Sequence, residues 1–222
     1  MTNKPSAAPL YAPSELARYS RARPQLVHRL FEGYAAEGRT YQPLLRGATR
    51  RRGETPLLSF ENLIETALIA ALRSKGISLQ AIRAAHRVAE GEFGAHPFAR
   101  RAVYVAGRDI FMQAEVAVAE ERHLTALTRG GQRALQPVLE HYLKHVRWDE
   151  DWPVEWQPRG GVVRQNPEIQ FGLPQVRAVR TEIIRSRFEA EESVTELATD
   201  FDLSVDEVEQ ALRYEFWLRP AA

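Results

Sequence analysis

Apolar positions recur at helical spacing in LSFENLIETALIAALRSKG, where Leu63, Ile64, Ala67, Leu68, Ala71 and Leu72 form one stripe. Ser59 stands where an N-cap belongs and Gly76 where a helix stops, so the pattern predicts a helix between them. A second follows in SLQAIRAAHRVAEGE, starting at Ser78, turning Leu79, Ile82 and Ala85 inward and ending at Gly91. Upstream, SELARYSRARPQLVHRLFEGY (Ser14 to Tyr34) holds two short helical patterns with almost nothing between them. Between the two pairs, TYQPLLRGATRRRGETPLLSF has two short apolar runs around a Gly-bounded loop carrying Arg46, Arg50, Arg51 and Arg52. That arrangement predicts a strand, a basic loop and a strand.

Further along, RAVYVAGRDIFMQAE alternates around AGRD and predicts a β-hairpin, and QRALQPVLEHYLKHVRW predicts a helix after Gly131 that starts or breaks at Pro137. In the last third, Ser193 and Ser204 cap VTELATDF and VDEVEQALRYE, with Leu197, Ala198, Leu203 and Val208 facing a core. The expected class is mainly α with small β-hairpins. It divides into an N-terminal winged helix-turn-helix (1–95), a connecting hairpin and helix (96–160) and a C-terminal three-helix, helix-turn-helix-like domain (161–222).

Composition narrows the class. With 222 residues, 44% apolar and 27% charged, the chain can bury a real core. The absence of cysteine excludes disulfides, thiolate metal sites and thiol redox sensing, and makes a reducing cytoplasm the natural compartment. MTNKPSAAPLYAPSE lacks the apolar run of a signal peptide, and no later stretch approaches the roughly 20 apolar residues of a membrane span. The net charge of +1 hides an asymmetry. Residues 1–56 carry ten Lys/Arg against four Asp/Glu, a net of +6, whereas residues 181–222 carry four against eleven, a net of −7. One end suits phosphate and the other repels it.

A helix-turn-helix needs a small residue late in its first helix and apolar residues facing back from its second, places filled by Leu16, Ala17, Ala22, Val27 and Leu30. Arg21 takes the turn position, where an L-residue meets a less favourable backbone conformation. Outward point Arg23, Gln25, His28, Arg29 and Glu32. Arg and Gln make bidentate contacts with purine edges in the major groove, and an Arg-rich loop suits the phosphate backbone. The candidate DNA-binding set is therefore Arg23, Gln25, His28, Arg29, Arg46, Arg50, Arg51 and Arg52. The bland alternative is that these are exposed helix faces only.

The order helix, turn, helix, basic wing, then ENLIETALIAALRSKGISLQAIRAAHR, resembles the winged helix-turn-helix of the MerR family of transcription regulators over about the first 95 residues. The likeness is strongest in ALRSKGISLQAIR, and it departs in ARYSRA, which lacks the usual Gly. A second segment, residues 162–215, is similar to a small domain of antitoxins that accompany PIN-domain toxins, the VapB class of type II systems. It carries Asn166-Pro167, Gly172-Leu173-Pro174, Arg180-Thr181 and the closing Ala211-Leu212-Arg213-Tyr214. It departs at Phe171, where Gly is usual, and at Ala178-Val179, where a Gly precedes the Arg.

These resemblances imply two partners, operator DNA and a PIN-like ribonuclease whose clustered carboxylates bind Mg²⁺ or Mn²⁺. An acidic domain is repelled by DNA and suits a protein partner. In ALRYEFWLRPAA, the aromatics Tyr214, Phe216 and Trp217 beside Arg213 and Arg219 have the composition of an interface anchor, and are the candidate toxin-binding set. Phe216 and Trp217 equally suit a role in the domain's own core. Specific binding to DNA by so small a reading head calls for a homodimer.

No catalytic constellation is present. There is no glycine-rich phosphate cradle and no nucleophile elbow, and the pairs Glu191/Glu192 and Glu120/Glu121 sit in amphipathic, outward-facing contexts. His141 and His145 are four apart on one helix face without a third ligand, and His96 in AHPFA suits a loop or packing role. Trp148, Trp152 and Trp156 lie among acidic residues and suit a packed seam rather than a base-stacking platform. No enzyme activity, metal or cofactor is expected. Two readings follow: an antitoxin that also represses its own operon, or a stand-alone MerR-like regulator sensing a small molecule, with the last domain serving for dimerisation.

Overall fold

The computed structural model describes residues 4–36, 38–47, 57–106 and 129–219, and only the backbone of 129–135. The fold is mainly α with small two-stranded sheets. The chain forms two compact units, one of Met1–Lys144 with Trp148–Pro153 and one of His145–Arg147 with Val154–Ala222. The described part of the expected 96–160 connection is shared between them. No helix among the described residues is long and apolar enough to cross a membrane.

The N-terminal unit runs β1 (Pro9–Tyr11), α1 (Pro13–Ser20), α2 (Pro24–Phe31), β2 (Tyr34–Ala36), β3 (Arg39–Tyr41), β4 (Leu58–Ser59), α3 (Phe60–Ser74) and α4 (Leu79–Phe93). α5 comprises the helical residues 101–106, α6 (Arg129–His145) passes through Pro137, and the strands β5 (Val146–Asp149) and β6 (Trp152–Trp156) follow in the chain. Ser59 caps α3 as its sequence predicts, accepting from the Asn62 N–H while Asn62 Oδ1 accepts from the Ser59 N–H. Ser78 caps α4 through the Ala81 N–H. α4 continues through Gly91 to Phe93 and stops at Gly94 instead, because Ala89 is buried one turn beyond Ala85 and extends the inward stripe.

In this unit one local expectation is borne out and another corrected. A strand precedes the basic loop and a strand follows it, as expected: β3 before it pairs with β2, in the register Tyr34 to Tyr41 and Ala36 to Arg39, while β4 after it pairs with β1. Of the two apolar runs, the second reaches β4 at Leu58, while Leu44 and Leu45 follow β3 outside any strand. The stretch 101–106 is helical rather than strand, since the adjacent residues Val103 and Tyr104 are both buried, a pattern that alternation forbids and a helix face allows. Tyr104 Oη fixes this turn by donating to the Phe98 carbonyl at 2.6 Å. Residues 107–115 of that expected hairpin lie outside the described residues.

α3 is the centre of the unit. From Phe60 to Ile69 every residue is buried, including Glu61, Asn62, Glu65 and Thr66 on the side that periodicity assigns to solvent. The carboxylates are accommodated by a polar cluster. Glu65 accepts from His96 Nδ1 at 2.9 Å and from the Phe98 N–H at 3.3 Å, with His86 Nε2 at 3.5 Å. Glu61 accepts from Ser6 Oγ at 2.9 Å, with His96 Nε2 at 3.7 Å. His96 reaches both glutamates from a left-handed backbone, φ 53°, at the head of the Pro97–Ala99 turn. The packing role expected of it is an electrostatic one.

The C-terminal unit has a strand preface and three helices. The preface bridges Trp156 to Gln165 and Arg164 to Gln175, then forms the hairpin β7 (Gln175–Val176) and β8 (Val179–Arg180). α7 (Thr181–Glu189), α8 (Val194–Asp200) and α9 (Val205–Leu218) follow. Ser193 and Ser204 make capping boxes with Glu196 and Glu207, as their sequence predicts, and Leu197, Ala198, Leu203 and Val208 are buried. In the β7–β8 turn, Arg177 and Ala178 have φ of 45° and 69°, a hairpin geometry that favours glycine. Replacing Ala178 with Gly removes the Cβ crowding of that conformation, and thermal melting should show a gain of about 0.5–1 kcal/mol.

Candidate functional site

α1 and α2 are joined by a turn of three residues, Arg21 to Arg23, whose tightness has a visible local cause. Arg21 is left-handed, φ 55° and ψ 23°, where the sequence resemblance has Gly. Ser20 braces the corner, its Oγ accepting from the Ala22 N–H at 3.3 Å and donating to the Ala17 carbonyl at 3.4 Å. Pro24 then starts α2 with its φ already helical. Leu16, Ala17, Ala22, Val27 and Leu30 are buried, as their places in the pattern require.

This burial fixes what α2 presents. Gln25, His28, Arg29 and Glu32 are one helical stripe, and all are exposed, with Arg23 exposed just ahead of them. The far end is held by Gly33, φ +78°, where a Cβ would lie 2.4 Å from the Tyr41 carbonyl oxygen. Any side chain there would push β3 away from α2. Leu44 and Leu45 donate their N–H groups to the Leu30 carbonyl, closing the C-terminal end of α2.

The hairpin β2–β3 adds groups the sequence reading passed over. Tyr34 and Tyr41 stack across it, ring centroids 4.6 Å apart. Arg29 stands 5.2 Å over Tyr34 and Arg83 of α4 stands 5.8 Å over Tyr41. Arg83 also donates to the Gln42 carbonyl. Arg29 is thereby given a seat, which a lone helix would not provide. Arg39 and Thr40 are exposed at the turn. The signal was the pair of tyrosines at the two ends of YAAEGRTY, hidden by its alanines.

Of the basic loop, Arg46 is exposed, and its guanidinium lies 3.3 Å from Glu90 of α4. Such an exposed pair is weak and competes little with a phosphate. Arg50, Arg51 and Arg52 lie outside the described residues.

In the C-terminal unit the five residues of the expected anchor are not brought to one exposed surface. Tyr214 is 1% exposed and belongs to the core. Trp217 is half-buried with its ring 5.6 Å from that of Tyr214, and Arg159 lies over its face. Arg213 is tied to Glu209 at 2.6 Å one turn earlier, and Arg219 pairs with Glu189 and stacks on Phe216. Of the three aromatics in that set, Phe216 alone is exposed, at 48%. The periodicity of α9 explains this: Ala211, Tyr214, Glu215 and Leu218 share the inward face, and Phe216 points away from it. Phe216→Ala should therefore move the thermal melt by no more than about 0.5 kcal/mol.

The remaining candidates find packing contacts. Trp152 lies under Lys4 Nζ at 3.7 Å and the Arg100 guanidinium at 3.6 Å, Trp148 tilts against Tyr104, and Trp156 is 3% exposed. His141 lies edge-on to Tyr142, and the His145 ring covers Gly160 so closely that a Cβ there would sit 2.3 Å from its Cε1. Among the described residues no group of three or more His, Asp or Glu side chains is placed to hold a metal ion.

No family model matches the chain, and no curated protein matches it. Among solved structures it is similar to the X-ray crystal structure of Rv2018 from Mycobacterium tuberculosis, with a TM-score of 0.73 and 20% sequence identity. The match covers 92% of this chain and 98% of that one. At this identity the likeness concerns the fold alone.

Proposed function

We propose that this chain is the antitoxin of a type II toxin–antitoxin pair, a cytoplasmic homodimer that holds operator DNA with its N-terminal unit and a PIN-like ribonuclease with its C-terminal unit. The observation that carries the DNA half is the exposed stripe Gln25, His28 and Arg29, with Arg23 at its head, on a short helix set by a braced turn. A helix of this length fits the major groove, and Arg and Gln are the side chains that read purine edges bidentately. The exposed Arg39 on the neighbouring hairpin supplies a cation for the phosphate backbone.

The acidic balance of residues 181–222 supports a protein rather than a nucleic acid as the partner of the C-terminal unit, and the resemblance of its motifs to VapB-class antitoxins names the class of that partner. The test is coexpression of the full chain with the product of the adjacent reading frame. The expected result is a stoichiometric complex in which an RNA-cleaving activity of the neighbour is suppressed. A neighbour that neither binds nor cleaves RNA contradicts the antitoxin reading and favours a stand-alone regulator.

A further inference from the structure

The segment Asn166 to Gly172 is a closed, internally bonded loop. Asn166 accepts from the Ile169 and Gly172 N–H groups through its carbonyl and from the Glu168 N–H through Oδ1. Gln165, itself fully buried, donates its side-chain amide to the Gly172 carbonyl at 3.1 Å. On this rigid base two successive residues, Gln170 and Phe171, are held left-handed at φ 51° and 55°. The Gln170 side chain spans to the hairpin, donating to the Ala178 carbonyl at 2.8 Å and accepting from Arg180 Nε at 2.9 Å. The outcome is an aromatic ring, Phe171, left 70% exposed, with Ile169 exposed two residues before it. Strained backbone that the surroundings over-determine is a mark of a displayed group.

The charge around this ring has a definite sign. Residues 159–180 carry four arginines against the single acid Glu168, a net of +3, whereas the helices after them carry the net of −7. Arg164 pairs with Glu155 and Arg177 with Glu207. On the helices Arg185, Arg187, Arg213 and Arg219 all have carboxylate partners. Arg180 has none among the described residues: its one bond is to the neutral Gln170 amide, which orients the guanidinium without neutralising it. An unneutralised cation oriented by the residue that precedes an exposed phenyl ring, in a unit that is otherwise acidic, suits a complementary surface that is apolar at its centre and acidic at its rim.

We propose that Phe171 and Arg180 form the docking surface for the protein partner of the C-terminal unit, Phe171 entering an apolar recess and Arg180 meeting carboxylates at its edge. This rests on the reading of the chain as one that binds a second protein, and it moves the contact from α9 to the strand preface. Pre-orientation through Gln170 lowers the ordering cost of both anchors on binding. A nucleic acid would also accept an aromatic and a cation, but the acidic helices that follow repel it.

The experiment measures binding of the purified full chain to the purified product of the adjacent reading frame by calorimetry. Phe171→Gly is the first variant, since glycine keeps the left-handed backbone and cannot fail through strain; Arg180→Gln is the second, and Val205→Ser, an exposed apolar residue elsewhere on the unit, is the control. Each of the first two should weaken binding about 30-fold with a melt no lower than wild type, and Arg180→Gln should also flatten the salt dependence, while the control binds like wild type. Wild-type binding that both variants retain overturns the surface and leaves the antitoxin reading standing. A wild-type chain that does not bind the neighbour overturns that reading and this inference with it. If Phe171→Gly instead converts a dimer to a monomer, or abolishes binding of a single-stranded RNA oligonucleotide, the surface serves a second copy or RNA and the proposal is wrong.

Discussion

Replacing Glu65 with Leu should lower the stability of the N-terminal unit by about 3–5 kcal/mol, visible as a fall of roughly 10 °C in its melt. The shape is nearly kept, so the loss is electrostatic. His96, His86 and the Phe98 N–H would each lose the acceptor that Glu65 provides in a site 1% exposed. Burial opposes ionisation of Glu65, yet hydrogen bonds from His86 and His96 outweigh it and hold the carboxyl below its usual range. Burial likewise opposes protonation of His96, and the hydrogen bond and charge of Glu65, with Glu61, overcome it and raise the imidazole above its usual value. A raised histidine stabilises the fold fully below about pH 6.5, and the contribution is lost as pH rises through the folded-state value. A lowered glutamate stabilises above about pH 4.3, and the contribution is lost as pH falls through its folded-state value. The wild-type unit is therefore expected to melt highest between these limits. Glu65→Leu should flatten that maximum, which denaturation across a pH series will record.

The second large effect concerns DNA. Gln25→Ala and Arg29→Ala should each reduce discrimination between the operator and an unrelated duplex by about 1–3 kcal/mol if each reads one base pair. They lie one turn apart on an exposed helix, so both can reach base edges of a single half-site. Arg29 carries the greater weight because Tyr34 already seats its guanidinium. Arg39→Ala, and the triple replacement of Arg50, Arg51 and Arg52, should weaken operator and non-specific DNA alike and reduce the slope of log K against log salt by about one per lost phosphate contact. Titration of fluorescent duplexes at several salt concentrations separates the two classes. Equal loss on both duplexes for Gln25→Ala and Arg29→Ala would make α2 a phosphate contact rather than a reader.

The elements most legible in the sequence were those whose periodicity and caps agree, as in α3 from Ser59, α4 from Ser78, and α8 and α9 from Ser193 and Ser204. What escaped was set by tertiary context. Glu61 and Glu65 lie four apart and look like a solvent face, and only the fold brings Ser6, His86 and His96 to them from as far as 55 residues away. β1 and β4 are too short to read alone and exist because they pair with each other across the segment that carries α1, α2, β2 and β3. The α2 stripe was legible because burial of Val27 and Leu30 leaves its other face no choice, whereas the aromatic seat for Arg29 depends on a hairpin hidden by alanines. The tail misled because exposed and buried aromatics alternate along α9 at helical spacing, and the composition of ALRYEFWLR carries no phase. Three positions where glycine is usual in the resembling sequences, Arg21, Phe171 and Ala178, all keep φ above 40°, so the turn geometry survives the loss of the residue that favours it.

The central claim is that one chain carries two separate binding jobs, DNA on the N-terminal unit and a protein on the C-terminal one. Light scattering after size exclusion of the full chain, mixed with the product of the adjacent reading frame and a duplex from its own upstream region, tests it in one measurement. The account predicts a single species containing all three, with two copies of the chain on half-sites about one helical turn apart. A mass that includes the duplex or the neighbour, but never both, would contradict it.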